Sequence, residues 1–397
     1  MRPDPKPLRE PLLTRGFVLL SVSHFLHSLS FFLFLHLPGF LAGIGASELD
    51  IGVLSGLASL AAILGRPPLG RIMDVRGRRP IIWAGGVLGV VASASYLLVH
   101  SLGPLVYVVR VAHGVSEAML FASLFAFVAD IVPASRRIEG IGLFGVSGLL
   151  PMAIAGALGD AILTHASYTS LFLTSTSASA VALVLSLPLS EPRREAGEPP
   201  RGLIAAVVDR KLAPLWIGGL FFAMALAAYF SFLKTFILAN PIADLGDFFM
   251  TYAAAACFWR VFFGSLPERA GPKGILVAAL GCLFVGLSML AFADSRVDVV
   301  IAGLLCGTGH GYAFPILLGF VVTRARPTER GGALAIYTAL FDGGTLIGGP
   351  LLGAIIEAAG YRTMFLTAAG LVLAGVAVLT AGDRFAHEET APSSTPT

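Results

Sequence analysis

Charged residues are scarce in this 397-residue chain, where Asp, Glu, Lys and Arg together make up only 13% of the sequence. Soluble domains carry about 25%. The apolar runs are long, which excludes a large soluble catalytic domain and also an outer-membrane barrel, whose strands would be about ten residues of alternating polarity. The chain therefore belongs in a lipid bilayer, where a helix of about 20 apolar residues spans the hydrocarbon core.

Cysteine is also sparse, and phosphate-binding motifs are missing. Cys257, Cys282 and Cys306 lie in apolar segments without C-x-x-C spacing, which predicts neither a disulfide framework nor a zinc site. No G-x-x-x-x-G-K-[ST] loop is present, so coupling to ATP within this chain is not expected. The sequence predicts no cofactor, no metal site and no nucleic-acid partner. Energy for any transport must come from an ion gradient or from the substrate itself.

Twelve apolar segments separated by Gly, Pro and charge predict twelve transmembrane helices, numbered here as spans 1 to 12. The expected ranges are 16–40, 51–71, 80–100, 104–128, 138–163 and 168–190, then 212–238, 247–266, 273–293, 297–322, 331–357 and 361–381. The first run is longer than a signal-peptide core and is expected to be retained. The predicted domains are a six-helix bundle at 1–190, a polar linker at 191–211, a second bundle at 212–382 and a disordered tail at 383–397.

The basic residues predict the orientation in the membrane. The chain has 27 Lys and Arg, and all but four are expected on the side that holds both chain ends and the linker. The four exceptions are Arg110 and Lys234 within spans, and Arg296 and Arg362 in loops of the opposite side. Loops rich in Lys and Arg remain in the cytoplasm. Both termini are therefore expected to be cytoplasmic, in a multi-pass protein of the plasma membrane.

The two halves of the chain repeat each other at a constant offset of 194 residues. An internal repeat of six spans implies two bundles related by a pseudo-twofold axis along the membrane normal, with a site between them near the midplane. Such a geometry suits rocking of one half against the other. The offset matches Asp50 with Asp244, Gly52 with Gly246, Arg66 with Arg260, Gly70 with Gly264, Gly77 with Gly271, Pro133 with Pro327 and Gly159 with Gly353.

Three motifs resemble those of a known family. The stretch Gly70-Arg-Ile-Met-Asp-Val-Arg-Gly-Arg-Arg79, between spans 2 and 3, is similar to the G-x-x-x-D-R-x-G-R-R/K loop of the major facilitator superfamily. Arg110-Val-Ala-His-Gly114 resembles its R-x-x-x-G element, and the small residues of span 11 around Gly348-Gly349-Pro350 resemble its efflux-type members. The resemblance implies an all-α membrane protein of twelve transmembrane helices in two pseudo-symmetric bundles, working by alternating access.

The loop after span 2 predicts a conformational latch. A glycine there lets two helices approach closely, and an aspartate with several arginines can form charge-assisted bonds across the seam between the halves. The latch would hold the outward-facing state and break as the halves rock. The alternative is that the arginines only determine topology. The latch residues are Gly70, Asp74, Arg76, Gly77, Arg78, Arg79 and Asp130, with Arg136 or Arg137 as further partners.

Ionisable residues inside the spans are the candidates for a substrate and proton pathway, because such groups are costly in a bilayer. Arg110, His113 and Glu117 project from one face of span 4. Arg110 is a candidate anchor for an anionic substrate, and Glu117 is a candidate proton-coupling carboxylate. The alternative is a structural pair in which Arg110 and Glu117 neutralise each other at a helix contact.

Five further residues complete the predicted pathway. His24 and His27 lie three residues apart on one face of span 1. They either belong to the pathway or make structural hydrogen bonds. Lys234 reaches either the interface or the pathway. His310 aligns by the repeat with the residue before Glu117 and is expected across the cavity from it. Asp342 either faces the cavity or bonds to a neighbouring backbone.

The sequence thus predicts a secondary transporter, not an enzyme, that moves a small organic or amphipathic compound, with protons as the coupling ion and export as the direction. Uptake of an organic anion is the alternative, favoured by Arg110, Lys234 and the histidines. A membrane sensor that binds a ligand without transporting it is the alternative of a different class. The expected partners are the substrate, protons and the lipid bilayer, and the expected state is a monomer.

Overall fold

The computed structural model describes residues 11–133, 136–191, 211–264, 266–326 and 330–388. Most of the predicted linker and the end of the predicted tail lie outside these ranges. Some side chains within the described helices are also outside the description, among them that of Asp74.

The described chain is helical, in the order that the apolar runs predict. Span 1 is Arg15–Leu33, continued by the 3-10 turn Phe34–His36 and by Leu37–Gly43. Spans 11 and 12 form one run, Arg330–Glu388, broken at Gly360, whose φ of 78° ends one helix and starts the next. The others are Glu48–Arg76, Arg79–Ser95 with the turn Tyr96–Leu98, Pro104–Ile131, Arg137–His165, Tyr168–Ser186, Ala213–Ala239, Leu245–Phe262, Pro272–Ala291 and Arg296–Arg324, with a short helix at Leu266–Ala270.

Ten helices among the described residues are long and apolar enough to cross a membrane, and the last of them, Ala335–Ala381, covers spans 11 and 12. Span 8 is outside this set, and its 18 residues include two charged ones, Asp247 and Arg260. It nevertheless packs between spans 5 and 10, which places it among the other spans.

Two faces of the molecule can be distinguished by its loops. The linker side carries the turn between spans 2 and 3 and the ends of spans 4 and 6, and the far side carries the loops at 44–47, 166–167 and 240–244. Three of the helices that begin on the far side, those of spans 2, 8 and 10, start with a capping box. At the start of span 2, for example, the Ser47 and Asp50 side chains each accept a hydrogen bond from the other's backbone N–H. The same capping box starts span 10 with Ser295 and Asp298.

The two bundles meet along two seams that the repeat relates to each other. Span 2 packs against span 11, and span 8 packs against span 5. Glycines make these contacts close: a Cβ at Gly56 would lie 3.0 Å from the carbonyl oxygen of Leu346, and one at Gly246 would lie 2.7 Å from Ala157 Cα. Small residues allow helix backbones to approach in a membrane. The predicted pseudo-twofold arrangement of two bundles is therefore confirmed.

Candidate functional site

A charge cluster joins the two halves between spans 2, 4 and 11. Arg66 Nη2 lies 2.7 Å from Asp342 Oδ2, and the two side chains are 23% and 22% exposed. Glu117 lies within electrostatic reach of both. We call Arg66, Glu117 and Asp342 the central charge cluster. It contains two carboxylates and one cation, so Arg66 is the single cationic partner for both acids.

Close backbone packing brings these side chains together. Span 4 lies against span 2 where Gly114 meets Ala58, and a Cβ at Gly114 would come within 2.8 Å of Ala58 Cα. Span 2 also lies against span 11 at Gly56 and Leu346. Span 2 thus contacts both of the spans that carry a carboxylate, and Arg66 extends between them.

The structural pair of Arg110 with Glu117, which was the alternative to a pathway role, is not formed in the structure. Arg110 Nε donates a hydrogen bond of 3.3 Å to the carbonyl oxygen of Leu54 on span 2. The charged neighbours of Glu117 are Arg66 and Asp342. Spacing on span 4 places Arg110 and Glu117 on one face, but packing against span 2 gives each a different partner.

A small polar pocket lies inside the first bundle, next to Glu117. Its space is about that of one water molecule. His27 and His113 line it, and each side chain is only 5% exposed. We call it the histidine pocket. Its lining residues are His27, Ser30, Phe31, Gly89, His113, Ser116, Glu117, Leu120 and Ser179.

His24 lies beside this pocket but has its own partners. Its Nδ1 is 2.8 Å from Ser147 Oγ, and its ring stacks on Phe144 with centroids 4.3 Å apart. Of the two histidines predicted together on span 1, only His27 lines the pocket. The structure thus gives the pair two different environments.

His310 lies inside the second bundle instead of across a cavity from Glu117. Its Nδ1 bonds to the hydroxyl of Tyr252, which is 3.4 Å from the hydroxyl of Tyr229. Rings surround His310, including those of Phe222 and Phe341 at centroid distances of 5.8 and 6.1 Å. Phe341 is followed directly by Asp342, so this aromatic group adjoins the central charge cluster.

Lys234 takes part in a far-side contact between the halves. Its Nζ lies 3.3 Å from Asp160 Oδ1 on span 5, and the Lys234 side chain is buried against protein atoms. Asp160 Oδ2 also accepts a 2.6 Å hydrogen bond from the backbone N–H of Gly246 on span 8, and His36 Nδ1 lies 3.7 Å from Oδ1. We call Lys234, Asp160, His36 and Gly246 the far-side clasp.

A second set of far-side bonds surrounds Glu48 at the start of span 2. Its carboxylate accepts a 3.0 Å hydrogen bond from Thr235 Oγ1 on span 7 and another from the hydroxyl of Tyr361 on span 12. In return, the Glu357 carboxylate accepts a 2.9 Å bond from the backbone N–H of Leu49. The far side is thus closed by bonds that cross between the halves.

The predicted latch residues on the linker side bond within the first half. Arg78 Nε lies 3.0 Å from Asp130 Oδ2. The backbone N–H groups of Arg78 and Arg79 donate to the Glu191 carboxylate at 2.7 and 2.9 Å, an anion at the N-terminus of span 3. Gly77, with φ of 99°, makes the turn that leads into this helix.

Three other latch residues, Gly70, Asp74 and Arg76, receive less support from the structure. Among the described residues, no atom lies within 4 Å of the position that a Cβ at Gly70 would take, so the expected close approach at this glycine is not present there. The Asp74 side chain lies outside the described residues, and Arg76 is exposed. The role of the latch remains a prediction.

Sequence reasoning missed several of these residues. In the sequence, Arg66 stands out only as a repeat position and Glu191 only as the start of the linker, while Asp160 is expected only at the interface near the outer end of span 5. The signal for Arg66 and Asp160 is the same as for Glu117: an ionisable residue within a predicted span.

Comparison with known proteins gives the class of the chain. The family model for the Major Facilitator Superfamily matches residues 20–327 and 215–396. The chain therefore belongs to the major facilitator superfamily of membrane transporters, as its loop motif suggested. It is 28% identical over 348 residues to the "uncharacterized MFS-type transporter YhhS" of Salmonella enteritidis, covering 85% of this chain and 84% of that protein. The Escherichia coli K12 protein of the same name is 27% identical over 351 residues.

Solved structures show the same fold at low sequence identity. The nucleoside transporter NupG has a TM-score of 0.77 at 14% identity, with 94% of this chain and 100% of that chain covered. A bacterial homologue of the human lysosomal transporter Spinster, inward-facing and occupied, has a TM-score of 0.75 at 15% identity, with 93% and 96% covered. The human organic anion transporter MFSD10 has a TM-score of 0.67 at 17% identity, with 92% and 99% covered.

Proposed function

We propose that this protein is a proton-coupled secondary transporter that exports a small organic or amphipathic compound across the plasma membrane, with both termini and the linker in the cytoplasm. The observation that carries the proposal is the ion pair between Arg66 and Asp342, which joins the two halves with a second carboxylate in reach. A cluster with more acids than cations can bind a proton without leaving Arg66 unpaired.

The cluster suggests how proton binding and rocking are linked. A proton on Asp342 removes the charge that holds Arg66 to the second half, and Glu117 in the first half is then the carboxylate within its reach. The bond between the halves is thereby exchanged for a bond within one half. Because a packed interface has discrete arrangements, such an exchange favours one state over the other.

The surroundings of Asp342 support the proposed substrate class. Phe341 precedes it, and the rings of Phe314 and His310 lie 4.8 and 6.1 Å from the Phe341 ring. Aromatic walls beside a few charged groups are typical of sites for organic compounds with an apolar part. Two structural neighbours are named for nucleoside and organic anion transport, which agrees with an organic substrate.

Uptake of an organic anion is the second candidate function. Arg66 favours it, because an anionic substrate group can replace a carboxylate as the partner of this half-buried guanidinium. Arg110 favours it less, since its guanidinium already bonds to the Leu54 carbonyl.

The first experiment is a thermal-shift screen of the purified protein against metabolites and drugs, because a ligand that binds the folded state raises the melting temperature. Each hit is then tested for counterflow in proteoliposomes. A transporter exchanges labelled for unlabelled compound, whereas a sensor binds it without exchange. Under an inward proton gradient, outward movement of the hit, against the proton flow, supports export. Accumulation of the hit inside, in the direction of the proton flow, supports uptake. A hit whose flux ignores the pH gradient would refute proton coupling.

A further inference from the structure

Two buried histidines in the histidine pocket have ring nitrogens without a partner. His27 Nε2 and His113 Nδ1 are fully enclosed, and among the described residues neither has a hydrogen-bond partner. Both side chains are only 5% exposed. A buried nitrogen that makes no hydrogen bond costs free energy, so such groups normally find a partner.

Other polar groups of the same region are satisfied by protein atoms. Ser116 Oγ donates a 2.8 Å bond to the carbonyl oxygen of Gly85, and Ser30 Oγ lies 2.8 Å from Ser175 Oγ. The two histidines therefore differ from these neighbouring serines, whose hydroxyls are paired. They line the same small space as Glu117.

The size and polarity of this space fit one water molecule. A buried water requires room for about one molecule and two to four polar partners. The pocket provides about that room, with His27, His113 and Glu117 as three candidate partners.

We propose that the histidine pocket binds a water molecule that joins His27 and His113 to Glu117, so that the exchanged proton is held by three side chains and one water inside the first bundle. The inference rests on the proposed function, in which Glu117 belongs to the proton-coupling cluster. It adds a second, internal side to that cluster, away from the contact with Asp342.

The proton step is balanced within the pocket. The O–H bond of a protonated Glu117 breaks, its proton passes to the water, and a proton of that water passes to an imidazole nitrogen. The carboxylate keeps the electron pair, and the imidazole becomes a cation. The charged and titratable neighbours are Arg66 and Asp342 facing Glu117, Arg110 facing His113 and His24 facing His27, while spans 3 and 6 contribute Gly89 and Ser179 to the lining.

A high-resolution cryo-EM map of the full chain in nanodiscs tests the water directly. We expect density for a water within hydrogen-bond distance of His27 Nε2 and His113 Nδ1, and we expect it to be lost in His113→Phe. A map in which these nitrogens face each other or a side chain, with no water between them, overturns the inference.

Infrared titration tests the link to Glu117 without any transported compound, with the proton as the probe. The carboxylic acid C=O band of Glu117 is isolated by subtracting the spectrum of Glu117→Gln. We expect His27→Phe and His113→Phe each to move the midpoint pH of this band by about one unit, the effect of one hydrogen bond to a charged group. His113→Asn keeps a polar atom near the Nδ1 position and is expected to stay close to the wild type.

Phe34→Leu is the matched packing control. The Phe34 ring lies 4.4 Å from the His113 ring but does not line the pocket. Phe34→Leu is expected to leave the midpoint pH of the Glu117 band unchanged. A shift as large as that of His113→Phe would mean that the effect comes from packing, and it would overturn the inference. His113→Asn behaving like His113→Phe would also overturn the water bridge.

The two proposals fail separately. If Glu117→Gln retains proton-coupled transport of a screened compound, Glu117 is removed from the proposed function and Asp342 is left as the coupling acid, whatever the pocket contains. If Glu117→Gln uncouples transport but both histidine variants keep the wild-type midpoint, only the histidine pocket is refuted.

Discussion

The two halves of this transporter share a scaffold but differ at the positions where chemistry is possible. Arg66 and Arg260 are related by the repeat offset, as are Glu117 and Gly311. In the first half Arg66 lies within reach of Glu117 and pairs with Asp342. In the second half Arg260 Nε donates a 3.2 Å bond to the carbonyl oxygen of Gly311.

One arginine is therefore free to change partners, and the other is not. A carbonyl oxygen keeps its charge distribution at every pH, whereas a carboxylate loses its charge when it binds a proton. Arg260 therefore has a fixed bond, while the bond of Arg66 depends on protonation. Asp342 adds to the difference, since its counterpart in the first half is Gly148. The symmetry thus serves the rocking motion, and the asymmetry serves the coupling.

The largest expected effect comes from substituting Arg66, with the same substitution of Arg260 as the comparison. Arg66→Gln leaves Glu117 and Asp342 near each other without a cation, and we expect proton-driven transport of a screened compound to fall by at least about tenfold. Arg260→Gln loses only a bond to a carbonyl, and we expect it to lower stability by about 1.5 kcal/mol while coupling persists. Proteoliposome flux and thermal melting measure the two effects.

Charge-matched controls separate coupling from folding in this pair. Arg66→Gln combined with Asp342→Asn removes one of the two stranded carboxylates and keeps the net charge of the cluster, so the double variant should melt closer to the wild type than Arg66→Gln and still fail to couple. Equal loss of coupling in Arg66→Gln and Arg260→Gln would mean that the two halves do not differ in the way proposed.

Glu117→Gln should have a narrower effect, because it mimics the protonated acid and keeps the shape of the side chain. We expect gradient-driven accumulation to be abolished, while binding and counterflow of the screened compound remain within about threefold of wild type. Glu117→Asp keeps a titratable group and should retain part of the coupling. Substrate-driven proton flux in liposomes is the measurement, and undiminished flux in Glu117→Gln would leave Asp342 as the coupling acid.

The far-side clasp is expected to affect the balance between states more than the chemistry. Lys234→Met strands Asp160 beside the N-terminus of span 8, and we expect a several-fold rise in the population that is open on the far side. Spin labels at Ala42 and Asn240, on far-side segments of the two halves, report this as a longer distance. The control is Lys234→Gln with Asp160→Asn, which removes both charges and should lie closer to the wild type.

The helices and the repeat could be predicted from sequence because they depend on local and periodic properties. Apolar runs long enough to span a bilayer indicate each helix, and glycines at one offset indicate equivalent seams. Glu117 and Asp342 can be found because a carboxylate stands out in an apolar run. Arg66 cannot be found as easily, since it lies close to the positive loop after span 2 and looks like part of it.

The partners of these residues could not be predicted, because partner choice is set by contacts between distant spans. Helical spacing alone suggests that Arg110 pairs with Glu117, yet the approach of span 2 at Gly114 directs Arg110 to the Leu54 carbonyl. Lys234 and Asp160 are separated by 74 residues, and their pairing requires knowing how the halves meet. A single sequence without its packing contains no such information.

The smallest expected effect distinguishes two kinds of residue on the linker side. The Arg78–Asp130 pair lies within the first half, and it is present in a structure whose far-side bonds cross between the halves. A latch that holds the outward-facing form would have to be broken in such a state, yet this pair is formed. We therefore expect Asp130→Asn to cost up to about 1 kcal/mol of stability, as a partly exposed ion pair does, and to change the populations of the two states less than twofold. Asp74→Asn is the contrasting variant, for which the latch hypothesis predicts a shift toward the inward-facing state with insertion intact. The same spin labels at Ala42 and Asn240 measure both variants. A large shift in Asp130→Asn would restore that pair to the latch, and equal distributions in both variants would leave the arginines of this loop with their topological role alone.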